Sequence, residues 1–561
     1  MSDALDGFFA HFHQRRPVNA TFIGVHEYDH LLPDWSSSGL ASLDEDMASL
    51  YIALSLAHPA PATDGAYAHD AELLDAELAR AFLEIQRAEN TSMHGIRGNP
   101  SLWTGEAVFS VIGLMIRDFA PIGERVRSAT ARLNSIPAFL ADGDAMLRRR
   151  PVPTPWMARA NRECEGALLL IDRGLPAWLA AGTVDRADAD ALTAAGARAR
   201  SAFVAFNASV SDLPAANDSA MACGSELYDV LLRRGHQCTR GRADLLADAR
   251  AQLAVERNRL AAMAGDVSGS WEAAQEQMAA EHPAPSDFLD AFARTWMACR
   301  DFARRNDVVT WPDWPIRYVP FPDWTKDAAP YLYYLFYRSP APFDRYVVHD
   351  YVVPPVPSTA DAAERHLRAW NQSAITLNHV VHHGSIGHHV QNWHAYHRAA
   401  TRTGKVAAVD CASRIAMFCG GTMAEGWACY ATRVMDELGF LSPLEQVSEQ
   451  HARVRFLARA IVDIELHQGT MSYGAALQFY TDVAGMNADA ARAEVVKNSI
   501  FPCTAVMYWL GTQSILRLRD EQRSAHGDDF SLKAFHDELL RHGSIPVDLT
   551  ARIMASQQGD A

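Results

Sequence analysis

Several features that mark other classes of protein are absent from this sequence of 561 residues. Its eight cysteines include no pair at the two-residue spacing of zinc knuckles and redox motifs, which predicts reduced, buried thiols. No stretch approaches the ~18–20 apolar residues that cross a bilayer, and the chain starts with acidic residues rather than with a basic and then apolar leader. These absences predict a cytoplasmic location and no membrane partner.

Basic residues are too few and too scattered for a nucleic-acid-binding protein. Lys and Arg number 51 against 67 Asp and Glu, a formal net charge of -16, and no basic stripe with interleaved aromatic residues occurs. No glycine-rich phosphate loop follows a predicted strand, and there is no repeat of fixed period. Nucleic acid is therefore not an expected partner, and the sequence does not indicate the oligomeric state.

Helix-forming periodicity, in contrast, covers most of the chain. Segments rich in alanine and leucine, with charges at three- and four-residue spacing, predict amphipathic helices. The exception is 311–357, where prolines, aromatic residues and valines favour short strands and turns. We expect a mostly α protein with a helical lobe over 1–310, a strand and hinge region over 311–357 and a helical metal-site lobe over 358–561. Together they would form one continuous unit around a central cleft.

Histidine is concentrated in one segment. Seven of the 23 histidines fall within nineteen positions, at 379, 382, 383, 388, 389, 394 and 397. Metal binding needs neutral imidazoles that converge within ~2.0–2.1 Å of one ion, often with a carboxylate. His379 and His383, four residues apart, share one face of a straight helix and could chelate as they stand. A single histidine usually belongs to a solvated face or a satisfied core, but this density favours a metal site.

The remaining spacing requires a broken helix. His382 has no histidine four residues later, and His388 and His389 lie six and seven residues on. Only a local break brings either of them to an ion held by His382. Gly384 and Gly387 accept the unusual backbone angles that such a break needs. The sequence therefore predicts that the helix is interrupted between the histidines.

Two segments resemble the motifs of a known family. The sequence H-H-G-S-I-G-H-H-V-Q from His382 to Gln391 matches the frame H-E-x-x-P-G-H-H-x-Q, and E-G-W-A-C-Y from Glu425 matches E-G-W-A-x-Y. These motifs are similar to those of the bacterial family of uncharacterised-function domain 885, helical proteins related to thimet-oligopeptidase-like and carboxypeptidase-Taq-like zinc peptidases. The likeness runs from near Ala20 to near Gly511 and so covers nearly the whole chain.

The resemblance implies a zincin-like helical clamshell with a small β-sheet edging the cleft. It also implies zinc held by His382, His388 and Glu425, while iron or another divalent metal suits a site with additional histidines. His388 is preferred to His389 because Gly387-His388 matches the glycine-histidine of shorter zinc-peptidase motifs. Spacing alone would also allow Glu425 to interact with the start of its own helix, and the histidines favour its being a ligand.

The chain departs from the family pattern at the position that usually carries catalysis. His383 replaces the glutamate that accepts a proton from metal-bound water, and Ile386 replaces the proline. An imidazole can also accept a proton, so we expect His383 to act as the base or as an extra ligand. Tyr508 and His467 are expected to face the cleft and to donate hydrogen bonds to an oxyanion.

These expectations describe an enzyme, a metallohydrolase of zinc-peptidase-like ancestry. Its partner would be a small molecule or a short peptide, with a peptide-like, amino-acid-derived or carboxylated substrate. The missing glutamate leaves open a weakened hydrolysis of the ancestral kind and two further alternatives. One is a non-hydrolytic metal-dependent lyase or isomerase, and the other is a catalytically inactive relative that only binds.

Overall fold

Helices make up most of the chain that the computed structural model describes, which is residues 2–62, 64–332, 339–345, 348–410 and 421–559. Helices α1 to α14 precede the sheet and cover, in order, Ser2–Arg15, Pro17–Ile23, Ser37–Ala57, Gly65–His69, Ala71–Thr91, Pro100–Met115, Ile122–Leu147, Thr154–Leu169, Leu175–Ala180, Arg186–Ser211, Ser225–Val230, Arg242–Ser268, Trp271–Ala280 and Phe288–Arg305. Helices α15 to α25 follow it and cover Ala360–Ala369, Gln372–Ala374, His388–Arg398, Arg402–Val406, Gly421–Glu437, Pro443–His467, Tyr473–Asp482, Ala488–Ile500, Val506–His526, Leu532–Arg541 and Val547–Gly559.

Two short strands form a parallel sheet. Strand β1 covers Ile316–Pro320 and β2 covers His349–Val353, with Tyr318 opposite Tyr351. Both strands fall in the region that is rich in proline, aromatic residues and valine, as predicted. The prediction of a mostly α fold with one small sheet is confirmed, whereas the division into lobes stays a prediction.

Wider and tighter helical turns interrupt the α-helices. In the described part of the chain, three stretches are π-helices, over Leu170–Gly174, Leu231–Gly235 and Ile375–Gly384. Short 3-10 turns cover Asp218–Met221, Pro285–Asp287, Ala329–Tyr331 and Gly527–Asp529. The π-helix over Ile375–Gly384, called the site π-helix below, carries three of the clustered histidines. Such wide turns occur often at functional sites.

Local sequence signals set the ends of the helices around the site. Helix α20 begins with a capping box, in which Ser442 accepts from the backbone of Glu445 and the Glu445 side chain accepts from the backbone of Ser442. Helix α19 ends at Glu437, and Gly439 follows with φ +85°. A left-handed residue just after a helix is a typical stop and favours glycine, so this stop agrees with the sequence.

Buried apolar clusters join distant parts of the chain. One cluster includes Phe8 of α1, Trp103 of α6 and Ile553 of α25. Another surrounds the site π-helix and includes Val380 and Trp427. Helices from both ends of the sequence therefore share one core, and a second core surrounds the histidine segment.

Candidate metal centre

The helix that carries the histidines is broken where the glycines predicted it. The site π-helix ends at Gly384 and α17 begins at His388. Between them Gly387 has φ -71° and ψ -119°, and a Cβ atom added there would lie 1.9 Å from the carbonyl oxygen of His382. Only glycine fits this position without a backbone shift, and the predicted break is confirmed.

Three hydrogen bonds fix the broken segment. The indole N–H of Trp296 donates to the Gly384 carbonyl at 2.8 Å, and that of Trp427 donates to the Ile386 carbonyl at 2.9 Å. The backbone N–H of Gly387 donates to the Val381 carbonyl at 2.9 Å. Carbonyl groups that the break removes from the helical ladder thus find donors, as buried backbone groups require.

The break brings His388 beside His382 and both beside Glu425. The Nε2 atoms of His382 and His388 lie 3.3 and 3.5 Å from Oε2 of Glu425. One ligand nitrogen from each of His382, His383 and His388 lies within 4.8 Å of the others. The three residues that the family resemblance selects as ligands therefore meet in one place, and His383 joins them.

Helix packing puts Glu425 at this point. Helix α19 crosses α23 at Gly426 and Gly511, and a Cβ atom on Gly426 would lie 2.6 Å from the Cα of Gly511. The two glycines allow a close approach of the backbones beside the carboxylate. Glu425 lies beyond the first turn of the described helix, so an interaction with the helix start does not account for it.

Electrostatics at the cluster favour a charged carboxylate. Burial opposes ionisation of Glu425, but the neighbouring imidazoles of His388 and His382 hold its pKa well below the usual range. Burial likewise opposes protonation of His388, but Glu425, with a smaller effect from Asp410, raises its pKa. A negative group thus faces two ring nitrogens.

The other two imidazoles of the cluster favour the neutral form. Burial lowers the pKa of His382, which Glu425 only partly offsets. Burial, together with His382 and His388, holds the pKa of His383 well below its usual range. The Nδ1 of His383 lies 2.6 Å from the carbonyl oxygen of Asn378 and, as an N–H, donates to it, which leaves the lone pair on Nε2. Neutral imidazoles of this kind are metal ligands.

The four remaining histidines of the segment are engaged elsewhere. His389, the alternative to His388, also stacks on the Trp314 ring at 4.7 Å between ring centroids. Their hydrogen-bond partners are the Tyr351 hydroxyl for His379 (2.6 Å), the Trp314 carbonyl for His389 (2.8 Å), the Thr310 carbonyl for His394 (3.0 Å) and the Trp393 carbonyl for His397 (2.9 Å). The structure does not pair His379 with His383 as chelating neighbours.

The two further residues expected at the cleft lie in different surroundings. Tyr508 is 7% exposed, and its ring stacks on Phe456 and lies 5.0 Å from the guanidinium carbon of Arg459. His467 is fully buried, with Nε2 paired to the Asn498 carbonyl at 2.8 Å and Nδ1 accepting from the Cys223 backbone at 3.3 Å. Both nitrogens of His467 are thus engaged within the protein.

Sequence reasoning missed two groups that contact the cluster. Gln391, inside the matched motif, lies beside His388 and donates through Nε2 to the Ser544 hydroxyl. Gln391 follows His388 by three residues, about one helical turn, and this spacing could have predicted that the two side chains are neighbours. The Asn378 carbonyl that orients His383 could not be predicted, because every residue has a backbone carbonyl and the sequence does not indicate which one forms this bond.

Comparison with known proteins assigns the family. The family model described as a bacterial protein of unknown function, DUF885, matches residues 17–554. The chain belongs to this family. No curated protein matches it.

Two solved structures share the fold over the whole DUF885 chain. One is described as "a putative lipoprotein of unknown function" from Shewanella oneidensis, with a TM-score of 0.76 and 20% identity, covering 98% of this chain and 99% of that one. The other is described as "the putative lipoprotein" from Colwellia psychrerythraea, with a TM-score of 0.79 and 16% identity, covering 100% and 99%. At these identities the likeness shows the fold alone.

The cytoplasmic location predicted from the sequence was wrong. Both similar structures are described as lipoproteins, which contradicts it. The prediction relied in part on the lack of a long apolar run, which does not exclude attachment through lipid, because a lipid anchor needs no spanning helix. Among the described helices, none has the length and apolarity of a bilayer-spanning segment.

Proposed function

We propose that this DUF885 protein is a metal-dependent enzyme of zinc-peptidase-like ancestry that acts on a small peptide-like, amino-acid-derived or carboxylated substrate. His382, His388 and Glu425 would hold the metal. The observation that carries the proposal is the spacing of their donor atoms, 3.3 and 3.5 Å from Glu425 Oε2 to the two Nε2 atoms. Donors placed ~2.0–2.1 Å from one tetrahedral ion are about 3.3–3.4 Å apart.

The hydrogen bonding of the carboxylate supports a bound cation. Oε2 of Glu425 is buried and has no hydrogen-bond partner among the described residues. A buried, charged oxygen that makes no hydrogen bond is costly even beside two imidazoles, and a divalent cation between the carboxylate and the imidazoles would remove that cost. The neutral forms favoured for His382 and His383 would direct lone pairs at the same ion. The donor set fits zinc, and additional imidazoles also suit iron.

The chain's own groups supply proton transfer in this proposal. A divalent metal would polarise a substrate carbonyl and lower the pKa of water. Because the Nδ1–H of His383 is held by the Asn378 carbonyl, Nε2 is the atom that accepts a proton from the attacking water and returns it to the leaving amine. Tyr508 is the proposed hydrogen-bond donor to the developing oxyanion. His467 has no part in this scheme, since both of its nitrogens are engaged.

One observation favours a second candidate. The ligand nitrogen of His383 lies within 4.8 Å of those of His382 and His388, so it could also bind the ion. A site with three imidazoles and one carboxylate would then lack a base for hydrolysis. The protein would then be a lyase, an isomerase or a protein that binds its ligand without turnover.

Elemental analysis of protein purified without added metal tests the proposal. We expect about one equivalent of zinc or another divalent metal per chain, because the site offers a single set of donors. His382→Gln and Glu425→Gln should each lose it. His389→Gln is the matched control and should keep it, since His389 pairs with a backbone carbonyl. A metal-free protein that is folded and active would overturn the proposal.

Replacing His383 by glutamate separates the candidate functions. Turnover of dipeptides and amidated amino acids would be compared between the natural chain and His383→Glu. Loss of activity would mean that the imidazole is essential, and gained peptidase activity would mean that the lineage has lost its ancestral base. Ligand binding without turnover in both proteins would remove the hydrolase assignment and leave the binding protein.

A further inference from the structure

Two arginines in the middle of α20 have acidic partners. Arg459 forms two parallel hydrogen bonds to Glu494 of α22, at 2.7 and 2.6 Å. Arg453 pairs with Glu449 at 3.2 Å and with Asp436 at 3.0 Å. Bidentate and bridging arrangements of this kind satisfy the donors of a guanidinium inside a protein.

Arg455, between them in sequence, has no such partner. Within the described part of the chain no hydrogen bond or ion pair reaches its guanidinium, and its Nε atom is buried. Burial and the neighbouring Arg459 lower the pKa of Arg455 to about 10, so the group is still charged at neutral pH. A cation with unused donors in such a place is costly unless an anion completes it. The side chain as a whole is of intermediate exposure.

Arg455 lies on the side of α20 that borders the candidate metal centre. Cys429 lies four residues after Glu425 on α19, about 6 Å along the helix axis. Arg455 and the Cys429 thiol are electrostatic neighbours. Cys429 also belongs to a buried apolar cluster that includes Tyr508, and Phe456, the residue after Arg455, packs against this cluster. Arg455 is therefore a neighbour of the helix that carries Glu425.

The position of Arg459 shows that the face of α20 that carries Arg455 is directed towards Tyr508. The guanidinium carbon of Arg459 lies 5.0 Å from the centroid of the Tyr508 ring. Arg455 is one turn earlier on the same helix and therefore shares the face. The paired guanidinium of Arg459 thus lies beside Tyr508, and the unpaired Arg455 lies one turn earlier on the same face of the helix.

We infer that Arg455 binds a carboxylate of the substrate, and this inference rests on the proposed function for the position of the reacting group. One unpaired guanidinium matches one singly charged, planar carboxylate, which it can hold through two parallel hydrogen bonds. Within the proposed function, the substrate class is therefore a peptide-like or amino-acid-derived molecule with a free carboxylate.

Calorimetric titration with a matched pair of probes tests this inference. N-acetyl-dialanine and its C-terminal amide differ only in the carboxylate. We expect the natural protein to bind the acid at least tenfold more tightly than the amide. Arg455→Met should bind both as weakly as the amide, with its metal content unchanged. Equal affinity of the natural protein and Arg455→Met for the acid would overturn the inference.

Repeating the titration on metal-stripped protein separates the two proposals. If Arg455 holds the carboxylate, the preference for the acid persists after the metal is removed. If the preference disappears, the metal alone binds the carboxylate and the inference fails. A protein that never contains metal but prefers the acid through Arg455 would retain the carboxylate site and lose the proposed function. Tighter, Arg455-dependent binding of inorganic phosphate would overturn the carboxylate assignment.

A stability measurement excludes a purely structural role. Replacing an unpaired, partly buried cation by methionine should leave the midpoint of thermal unfolding unchanged or raise it. Arg459→Met is the matched control on the same helix and should lower the midpoint, because it leaves the buried Glu494 without its partner. Equal destabilisation by the two variants would mean that Arg455 supports the fold, and the inference would fail.

Discussion

Two groups of histidine and carboxylate side chains in this molecule are built from the same residue types and differ in what completes them. The first, the His26 cluster, consists of His26, Asp29 and Asp344. Nδ1 of His26 lies 2.8 Å from Asp29 and Nε2 lies 2.8 Å from Asp344. Burial opposes protonation, but these two hydrogen bonds raise the pKa of His26 to about 9. The protein itself satisfies every donor of this ring.

The second group, the metal-centre cluster, consists of His382, His383, His388 and Glu425. Here one carboxylate oxygen faces two ring nitrogens at 3.3 and 3.5 Å and makes no hydrogen bond among the described residues. Two of its imidazoles favour the neutral form, whereas His26 favours the charged form. In the His26 cluster the protein itself supplies the hydrogen bonds of the ring, as expected of a structural link, whereas the neutral imidazoles beside the Glu425 carboxylate fit the cation that we propose.

The largest expected effect comes from a substitution at the helix break between Gly384 and His388. Of the two clusters, only the metal-centre cluster depends on this break. In Gly387→Ala the new Cβ atom would lie 1.9 Å from the carbonyl oxygen of His382. We expect the free energy of unfolding to fall by more than about 4 kcal/mol, or folding to fail, and the metal to be lost. Denaturant unfolding and elemental analysis would measure both.

Gly265→Ala in α12 is the control for that substitution. A Cβ atom at Gly265 meets nothing within 4 Å, and the position lies inside a helix. Alanine should therefore stabilise the protein by about 0.5–1 kcal/mol. A Gly387→Ala protein with normal stability and full metal content would show that the cluster does not need the break.

Substituting one histidine in each cluster should affect different properties, namely stability in the His26 cluster and metal content in the metal-centre cluster. His26→Gln leaves the buried carboxylates of Asp29 and Asp344 without their shared partner, and we expect a loss of about 2–3 kcal/mol of unfolding free energy with unchanged metal content. His382→Gln should lose the metal and change the stability of the metal-free protein by less than about 1 kcal/mol. Denaturation of metal-stripped samples checks this pair. Loss of metal in His26→Gln would contradict the assignment of a purely structural role to the His26 cluster.

The His26 cluster should also give stability a specific pH dependence. Its pKa is about 9 in the folded protein against 6.5 for the free side chain. A raised pKa stabilises the folded state fully below pH ~6.5 and progressively less as pH rises through 9, at about 1.4 kcal/mol per unit. The stability difference between the natural protein and His26→Gln should therefore be largest near pH 6 and almost vanish above pH 9. A difference that is independent of pH would refute the assignment.

Local sequence signals predicted much of the metal-centre cluster. The density of histidines pointed to the segment, and the spacing from His382 to His388 required a break that Gly384 and Gly387 could tolerate. The capping signal at Ser442 likewise agrees with the start of α20. These features are local, because caps, stops and breaks depend on residues within one or two turns.

Partners from distant segments could not be predicted in this way. His26 lies in a segment that resembles the family, but its partner Asp344 is 318 positions away and nothing in the spacing connects them. His467 resembles a cleft residue in sequence, yet its nitrogens bond to the Asn498 carbonyl and the Cys223 backbone. Tertiary packing decides such pairings, and a single sequence does not encode them as a local pattern.

The smallest expected effect concerns the support of the break rather than the ligands. Trp296→Phe removes the N–H that donates to the Gly384 carbonyl at 2.8 Å and should cost about 1 kcal/mol of unfolding free energy. Metal affinity, measured by competition with a chelator, should fall by less than the ~10-fold typical of losing a direct partner of a ligand, because Trp296 acts only through the backbone. Trp311→Phe is the control, since Trp311 packs 6.2 Å from Trp296 between ring centroids and donates no hydrogen bond among the described residues. If Trp296→Phe and Trp311→Phe lowered stability and metal affinity equally, the loss would come from packing. The hydrogen bond from Trp296 to the Gly384 carbonyl would then have no separate role in positioning the cluster.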